Sequence, residues 1–303
     1  MKLETEKLLG TLELFVRNPF FWETEKWGKF NVWNLMRSEG FVNLTDVDLV
    51  IAHWQDVEHW GTPTNQIDDF EYAPLRDEQD DDWNPEIEKF RVERYQQLLK
   101  LLKAELSDFQ GFRIGINKES DDYFEWEHPN FYFHILIGKT KDGDWFCFSP
   151  TVPDEVSDRR LQRLQTGSTE THPLNQKTLD LQSQIDAILS ELSPMTIYGY
   201  YGGGYAYTYE HQIVYATTGS KILAVEKALH AAKMLKVEDS TLDFSCSECG
   251  DSRKLCQFFI NHLGGPKIYS LSFWDIGYIY EVAETPTGDW LGLRRILEFE
   301  FNP

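Results

Sequence analysis

Apolar residues divide the chain into elements before any motif does. Leu3, Leu8, Leu9, Leu12 and Phe15 recur at helical spacing and predict an amphipathic helix over 3–16, stopped by Pro19. Residues 20–35 mix aromatics with acids, and Glu23 and Glu25 fall in a polar turn between the apolar pieces. From Lys29 to Leu35 the alternation of apolar and polar residues predicts a strand. Thr45 stands where it would cap a short helix running to Trp54. Asn84 followed by Pro85 opens the strongest helical pattern, with Ile87, Phe90, Leu98, Leu101 and Leu102 along one side as far as Ser107. Strands are predicted at 111–116 and 132–138. The second half repeats this succession, with helices at 177–192, 220–236 and 252–263, a Tyr- and Gly-rich strand region at 197–217, and strands at 267–273 and 277–284. The last helix ends at Gly264 and Gly265, as helices commonly do.

One pattern occurs twice. Thr140, Gly143, Asp144 and Trp145 recur as Thr285, Gly288, Asp289 and Trp290, each 145 positions later. Both copies are an apolar run, a polar turn with Gly, and a second apolar run, which predicts a β-hairpin. Pro286 suits the second position of a type I turn, and the Gly two residues on can take the left-handed conformation that closes a bulged hairpin. A repeat at this period predicts a tandem duplication.

The chain has 303 residues, enough for two domains of roughly 140–150 residues each. We place the first at 1–152, a joint poor in apolar residues at 153–176, and the second at 177–303. An apolar content of 41% supports packed cores. There is no uncharged apolar run of about 18 residues to cross a bilayer. Acids near Met1 replace the basic, apolar start of a secretory signal, which predicts a cytoplasmic protein. The formal charge is −21, from 50 acidic against 29 basic residues. Such a field repels nucleic acid and anionic lipid and attracts basic protein surfaces. Five of these acids crowd into residues 77–82, a density that predicts a solvated loop.

Candidate chemistry is sparse. Cys246, Cys249, Cys256 and His262 have a spacing that a zinc ion accepts, but Cys256 and His262 share a predicted helix with Leu255, Phe259 and Leu263. Buried free thiols and a core histidine are the preferred reading. Residues 198–209 alternate Tyr with Gly but lack the Gly-Lys-Ser/Thr end of a phosphate loop, which favours a strand with a glycine bulge. No serine-hydrolase elbow, zinc-protease helix or dinucleotide fingerprint occurs. Trp145 and Trp290 read as sheet-face residues, and Asp144 and Asp289 as bonded within their own turns.

An acidic loop, a long helix, a strand, a Gly-x-Thr-x-x-Gly turn (Gly138, Thr140, Gly143) and a last strand together resemble the cyanobacterial nuclease A inhibitor family. The matching pieces are 77–82, 90–106, 112–114 and 132–151, then 252–263, 269–271 and 279–297. Residues 8–26 are similar to the family's opening helix and the Glu-rich turn after it. The resemblance implies an α/β/α sandwich that binds a non-specific, metal-dependent nuclease. It places on Glu23, beside Thr24 and Glu25, the acid that reaches a basic active-site group of the nuclease. A carboxylate held like a substrate phosphate pairs with the enzyme's Arg. The family's terminal threonine has no counterpart, since this chain ends Phe301-Asn302-Pro303 and the first copy continues past Thr151. The second copy carries Pro194-Met195-Thr196 after its first helix, where the first has the Glu-rich turn.

The expectation is therefore an α+β chain of two tandem α/β/α-sandwich-like domains with largely antiparallel sheets. It is expected to act as a non-enzymatic acidic module that needs no cofactor or metal and meets a basic protein, such as a nuclease, through Glu23, Thr24, Glu25, Asp80, Asp81 and Asp82. The rival is an enzyme or small-molecule binder using a cleft between the repeats, beside His134 or the tyrosine-rich strand.

Overall fold

The computed structural model describes residues 2–60, 85–115, 132–152, 173–201, 205–240, 252–273 and 276–298. The acidic run at 77–82, with Asp80, Asp81 and Asp82, lies outside the described residues, as do Cys246, Cys249 and most of the joint at 153–176. In the first half the elements are α1 (Leu3–Leu12), β1 (Phe20–Trp22), α2 (Thr24–Trp27), α3 (Val32–Ser38), β2 (Val42–Thr45), α4 (Val47–Trp60), α5 (Pro85–Glu105), β3 (Leu106–Gly115), β4 (Tyr132–Thr140) and β5 (Trp145–Pro150). The second half has α6 (Gln176–Glu191), β6 (Met195–Tyr201), β7 (Tyr205–His211), β8 (Ile213–Thr218), α7 (Lys221–Ala231) and β9 (Leu235–Asp239). It closes with α8 (Ser252–His262), β10 (Lys267–Phe273), β11 (Ile276–Glu284) and β12 (Trp290–Glu298). The fold is α+β, and every described strand pair is antiparallel.

Three local expectations are corrected. Residues 29–35 do not form a strand. The Asn31 side chain accepts from the Asn34 amide at 2.9 Å, so it caps a helix whose Val32, Trp33, Leu35 and Met36 are buried. The cap of α4 is Asp46, whose carboxylate accepts from the Asp48 amide at 2.7 Å, and not Thr45. The helix expected to 236 ends at Ala231, and Leu235–Asp239 becomes a strand.

Two five-stranded sheets carry the fold, in the orders β2-β3-β4-β5-β8 and β1-β12-β11-β10-β9. Each takes one edge strand from the other half of the chain. Phe20, Phe21 and Trp22 pair with Gly292, Leu291 and Trp290, while residues 213–218 pair with 145–150. The inner faces of both sheets form one core with α3 and α7, joining Phe112, Ile135 and Cys147 to Tyr269, Tyr278 and Val282. On the outer face of the first sheet, α4, α5 and α6 bury Leu136, Phe146 and Phe148. On the outer face of the second, α1 and α8 cover Ala283, Leu291 and Leu293. Gly292 lies opposite Phe20, whose ring packs edge-on against Tyr280 at 5.3 Å, and a Cβ at 292 would collide with the Glu281 carbonyl of β11. The corresponding pair in the other sheet is Cys147 opposite Ala216.

The buried side of α5 differs from the expected one. Phe90 is 41% exposed, whereas Arg91, Tyr95, Leu98, Leu99 and Leu102 point inward. Arg91 enters because Glu58 of α4 meets it with two hydrogen bonds, Nε to Oε2 at 2.8 Å and Nη2 to Oε1 at 2.6 Å. The Tyr95 hydroxyl donates to Glu58 Oε1 at 2.6 Å, and Arg91 Nη1 donates to the Ser193 carbonyl at 3.0 Å. Burial, and then the Glu58 charge, hold the Tyr95 pKa well above its ordinary value, so the phenol remains a donor. Removing one member strands the others in a dry site. Arg91→Ala is expected to cost roughly 3–5 kcal/mol in urea denaturation, and an Arg91→Met, Glu58→Leu pair distinctly less.

Candidate functional site

Both hairpin tips are built alike. Thr140 N donates to Asp144 O at 2.8 Å and Gly143 N to Thr140 O at 3.1 Å; Thr285 N donates to Asp289 O at 2.7 Å and Gly288 N to Thr285 O at 2.9 Å. Gly143 and Gly288 have φ of 102° and 87°, the left-handed region the bulged turn requires. The two aspartates, 1% and 2% exposed, do more than close their own turns. Asp144 Oδ2 accepts from the Thr178 hydroxyl at 2.7 Å, and Asp289 Oδ2 from the Thr5 hydroxyl at 2.8 Å. Each of these threonines is the third residue of a helix, α6 or α1, so a buried carboxylate meets a helix N-terminus.

The turn holding Glu23, Thr24 and Glu25 is seated on the second tip. Thr24 N donates to Asp289 Oδ1 at 3.0 Å, and the Thr24 hydroxyl donates to the Gly288 carbonyl at 2.6 Å. The far end is fixed by Trp22 Nε1, which donates to the Gly28 carbonyl at 2.9 Å. Glu23 and Thr24 are half-buried, Glu25 and Lys26 exposed, and Trp27 is 44% exposed with Lys26 Nζ 4.8 Å from its ring centre. The structure thus places the three predicted residues of the turn together, Glu25 exposed and Glu23 and Thr24 half-buried.

The first tip carries no such turn. Thr218 ends β8, and α7 starts three residues later with no acid in its first turn. Lys221 stands there, its Nζ 5.3, 5.2 and 5.7 Å from the ring centres of Trp33, Phe112 and Trp145. Burial, then the Arg37 charge, lowers its pKa. At the second tip the ring of Phe30 stacks on Trp290 at 4.5 Å instead. Both repeated tryptophans are half-buried on sheet faces, as expected.

His134 does not face a cleft between the repeats. It lies on the outer face of the first sheet under α4, where its ring centre is 4.3 Å from His53 and 5.3 Å from Tyr132. The Arg113 guanidinium covers Tyr132 at 4.3 Å, and the Trp54 indole N–H donates to the His134 carbonyl at 2.9 Å. Nδ1 of His134 and both ring nitrogens of His53 are buried without a hydrogen bond. Sequence reasoning missed this pair, because 81 positions separate two residues whose meeting depends on packing. Burial also raises the Cys147 pKa strongly, which disfavours a thiolate there. Cys256 is half-buried, and His262 is exposed beside Phe258 rather than in the core as expected. Among the described residues no group of three His, Cys, Asp or Glu is arranged to hold a metal ion, and no helix is long and apolar enough to cross a membrane.

A family model described as nuclease A inhibitor-like protein matches residues 58–152. The match spans α5, β3, β4 and β5 but not the turn at 23–25. No curated protein and no solved structure matches the chain.

The histidine pair makes a pH dependence. Burial, then Arg113, pushes the His134 pKa down from 6.5 to about 4, and burial with the His134, His211 and Arg113 charges lowers that of His53 well below 6.5. The unfolded chain takes up these protons as the pH falls below 6.5, while the folded chain resists them. Stability is therefore expected to fall between pH 6.5 and 4, by roughly 3 kcal/mol from His134. Urea denaturation across that range should show a shallower loss in His134→Leu.

Proposed function

We propose that the protein is a non-enzymatic acidic module that binds a basic protein, a metal-dependent nuclease being the favoured partner. The observation that carries the reading is the turn of Glu23, Thr24 and Glu25, half-buried to exposed and fixed at both ends by hydrogen bonds to Asp289 and from Trp22. The nuclease inhibitor-like match over 58–152 supports it. A pre-formed turn loses little conformational freedom on binding, and its carboxylates suit an arginine that otherwise holds a substrate phosphate. The run containing Asp80, Asp81 and Asp82 adds charge that steers a basic partner.

We further propose a duplicated origin for the halves 1–152 and 177–303, with their opening helix-and-strand segments exchanged. Supporting this are the repeated hairpin closures and the matching aspartate–threonine contacts. Because the first tip has Lys221 where the second has the acidic turn, the reading assigns one partner to each chain.

Titration into a non-specific sugar-nuclease assay should give inhibition at one protein per nuclease. Glu23→Lys with Glu25→Lys should weaken binding at least about tenfold at low salt, and the wild-type affinity should fall as salt rises. Affinity indifferent to salt and to both reversals would overturn the reading.

A further inference from the structure

The acidic turn belongs to the first half of the chain, but the groups that hold its start belong to the second. Asp289 uses both carboxylate oxygens: Oδ1 accepts from Thr24 N and Oδ2 from the Thr5 hydroxyl. Around it, the Thr5 and Thr287 hydroxyls lie 2.6 Å apart, those of Thr285 and Thr287 3.0 Å apart, and Lys2 Nζ donates to the Thr287 carbonyl at 2.7 Å. Asp144 occupies the same place on the other hairpin and makes the same contact with a helix threonine. It also accepts from the Asn175 amide at 3.4 Å and side chain at 3.5 Å, at the N-cap of α6. The two aspartates thus share a structural task, and Asp289 adds to it the bond to Thr24 N.

We infer that Asp289 is the positioning residue of the acidic turn, so that the partner surface is a composite of the two halves and depends on their correct assembly. The inference rests on the function proposed above for its consequence, but its physical content can be read without any partner. Thr24 N bonds to a carboxylate that is itself oriented by Thr5, and the charge-assisted bond fixes where the backbone of 23–25 begins. Beside it, the Thr24 hydroxyl bonds the Gly288 carbonyl and Trp22 holds the far end.

The test compares Asp289→Ala with Asp144→Ala in the full chain, with Asp289→Asn as the conservative variant. Amide hydrogen exchange is followed at 24–27 under conditions where all variants remain folded. Both alanine variants should lower the unfolding midpoint, since each removes a buried carboxylate bonded to a helix threonine. Only Asp289→Ala should speed exchange across 24–27, by about tenfold or more, the equivalent of one lost hydrogen bond. Asp289→Asn should restore much of the protection, because its amide oxygen still accepts from Thr24 N. Should Asp289→Ala not fold, Thr5→Val, which removes the hydroxyl that orients the Asp289 carboxylate and leaves 23–27 untouched, should speed exchange over the same residues. Unchanged exchange in Asp289→Ala, or an equal rise in Asp144→Ala, would overturn the inference. In the nuclease titration, weaker binding by Asp289→Ala but not by Asp144→Ala would support the composite surface. Faster exchange in a protein whose wild type binds no nuclease would remove the proposed partner and leave the positioning role standing.

Discussion

The exchange of edge strands is the constraint on which the rest of the molecule depends. Each half contributes a four-stranded antiparallel run, β2 to β5 or β9 to β12, whose last strand exposes an unpaired edge. That edge is sealed by a strand from the opposite half, β8 on β5 and β1 on β12. Unpaired backbone groups at a sheet edge invite association with other chains, so sealing both edges internally removes two such surfaces. The exchange also commits α3 and α7, which follow the exchanged strands, to the space between the sheets, where they share one core with both inner faces.

The residues facing each other across the two seams differ: Phe20 faces Gly292, and Ala216 faces Cys147. Gly292 is set by the backbone of β11, since a Cβ there would collide with the Glu281 carbonyl. The buried aspartates tie each tip to a helix. A carboxylate almost without solvent needs several donors, and each finds a threonine hydroxyl on the helix that precedes the incoming strand.

The two sides of this frame are alike in backbone and differ in what lies over the repeated tryptophan. Phe30 stacks on Trp290, preceded by the acidic turn; Lys221 approaches Trp145, with β8 leading almost directly into α7. The two tips thus differ in charge, with carboxylates beside one and an amine among aromatic rings at the other.

Much of this was legible in the chain itself. The strands flanking each hairpin, the glycine-closed turns and the Pro85 start of α5 follow from local rules, because turn chemistry and periodicity act over a few residues. The failures were those where a distant partner overrides the local pattern. Residues 29–35 alternate like a strand, yet the Asn31 cap and two sheets that bury Val32, Trp33, Leu35 and Met36 make a helix of 32–38. Arg91 replaces Phe90 on the buried side of α5 because Glu58, 33 positions away, supplies the opposite charge. Asp289 reads as a turn residue until α1 and α2 are brought to it. Sequence alone determined the elements, the repeat and the charge, since these depend on neighbouring residues. Tertiary structure decided which half completes which sheet and which carboxylate holds the acidic turn, because pairing across hundreds of residues is settled by fit and burial.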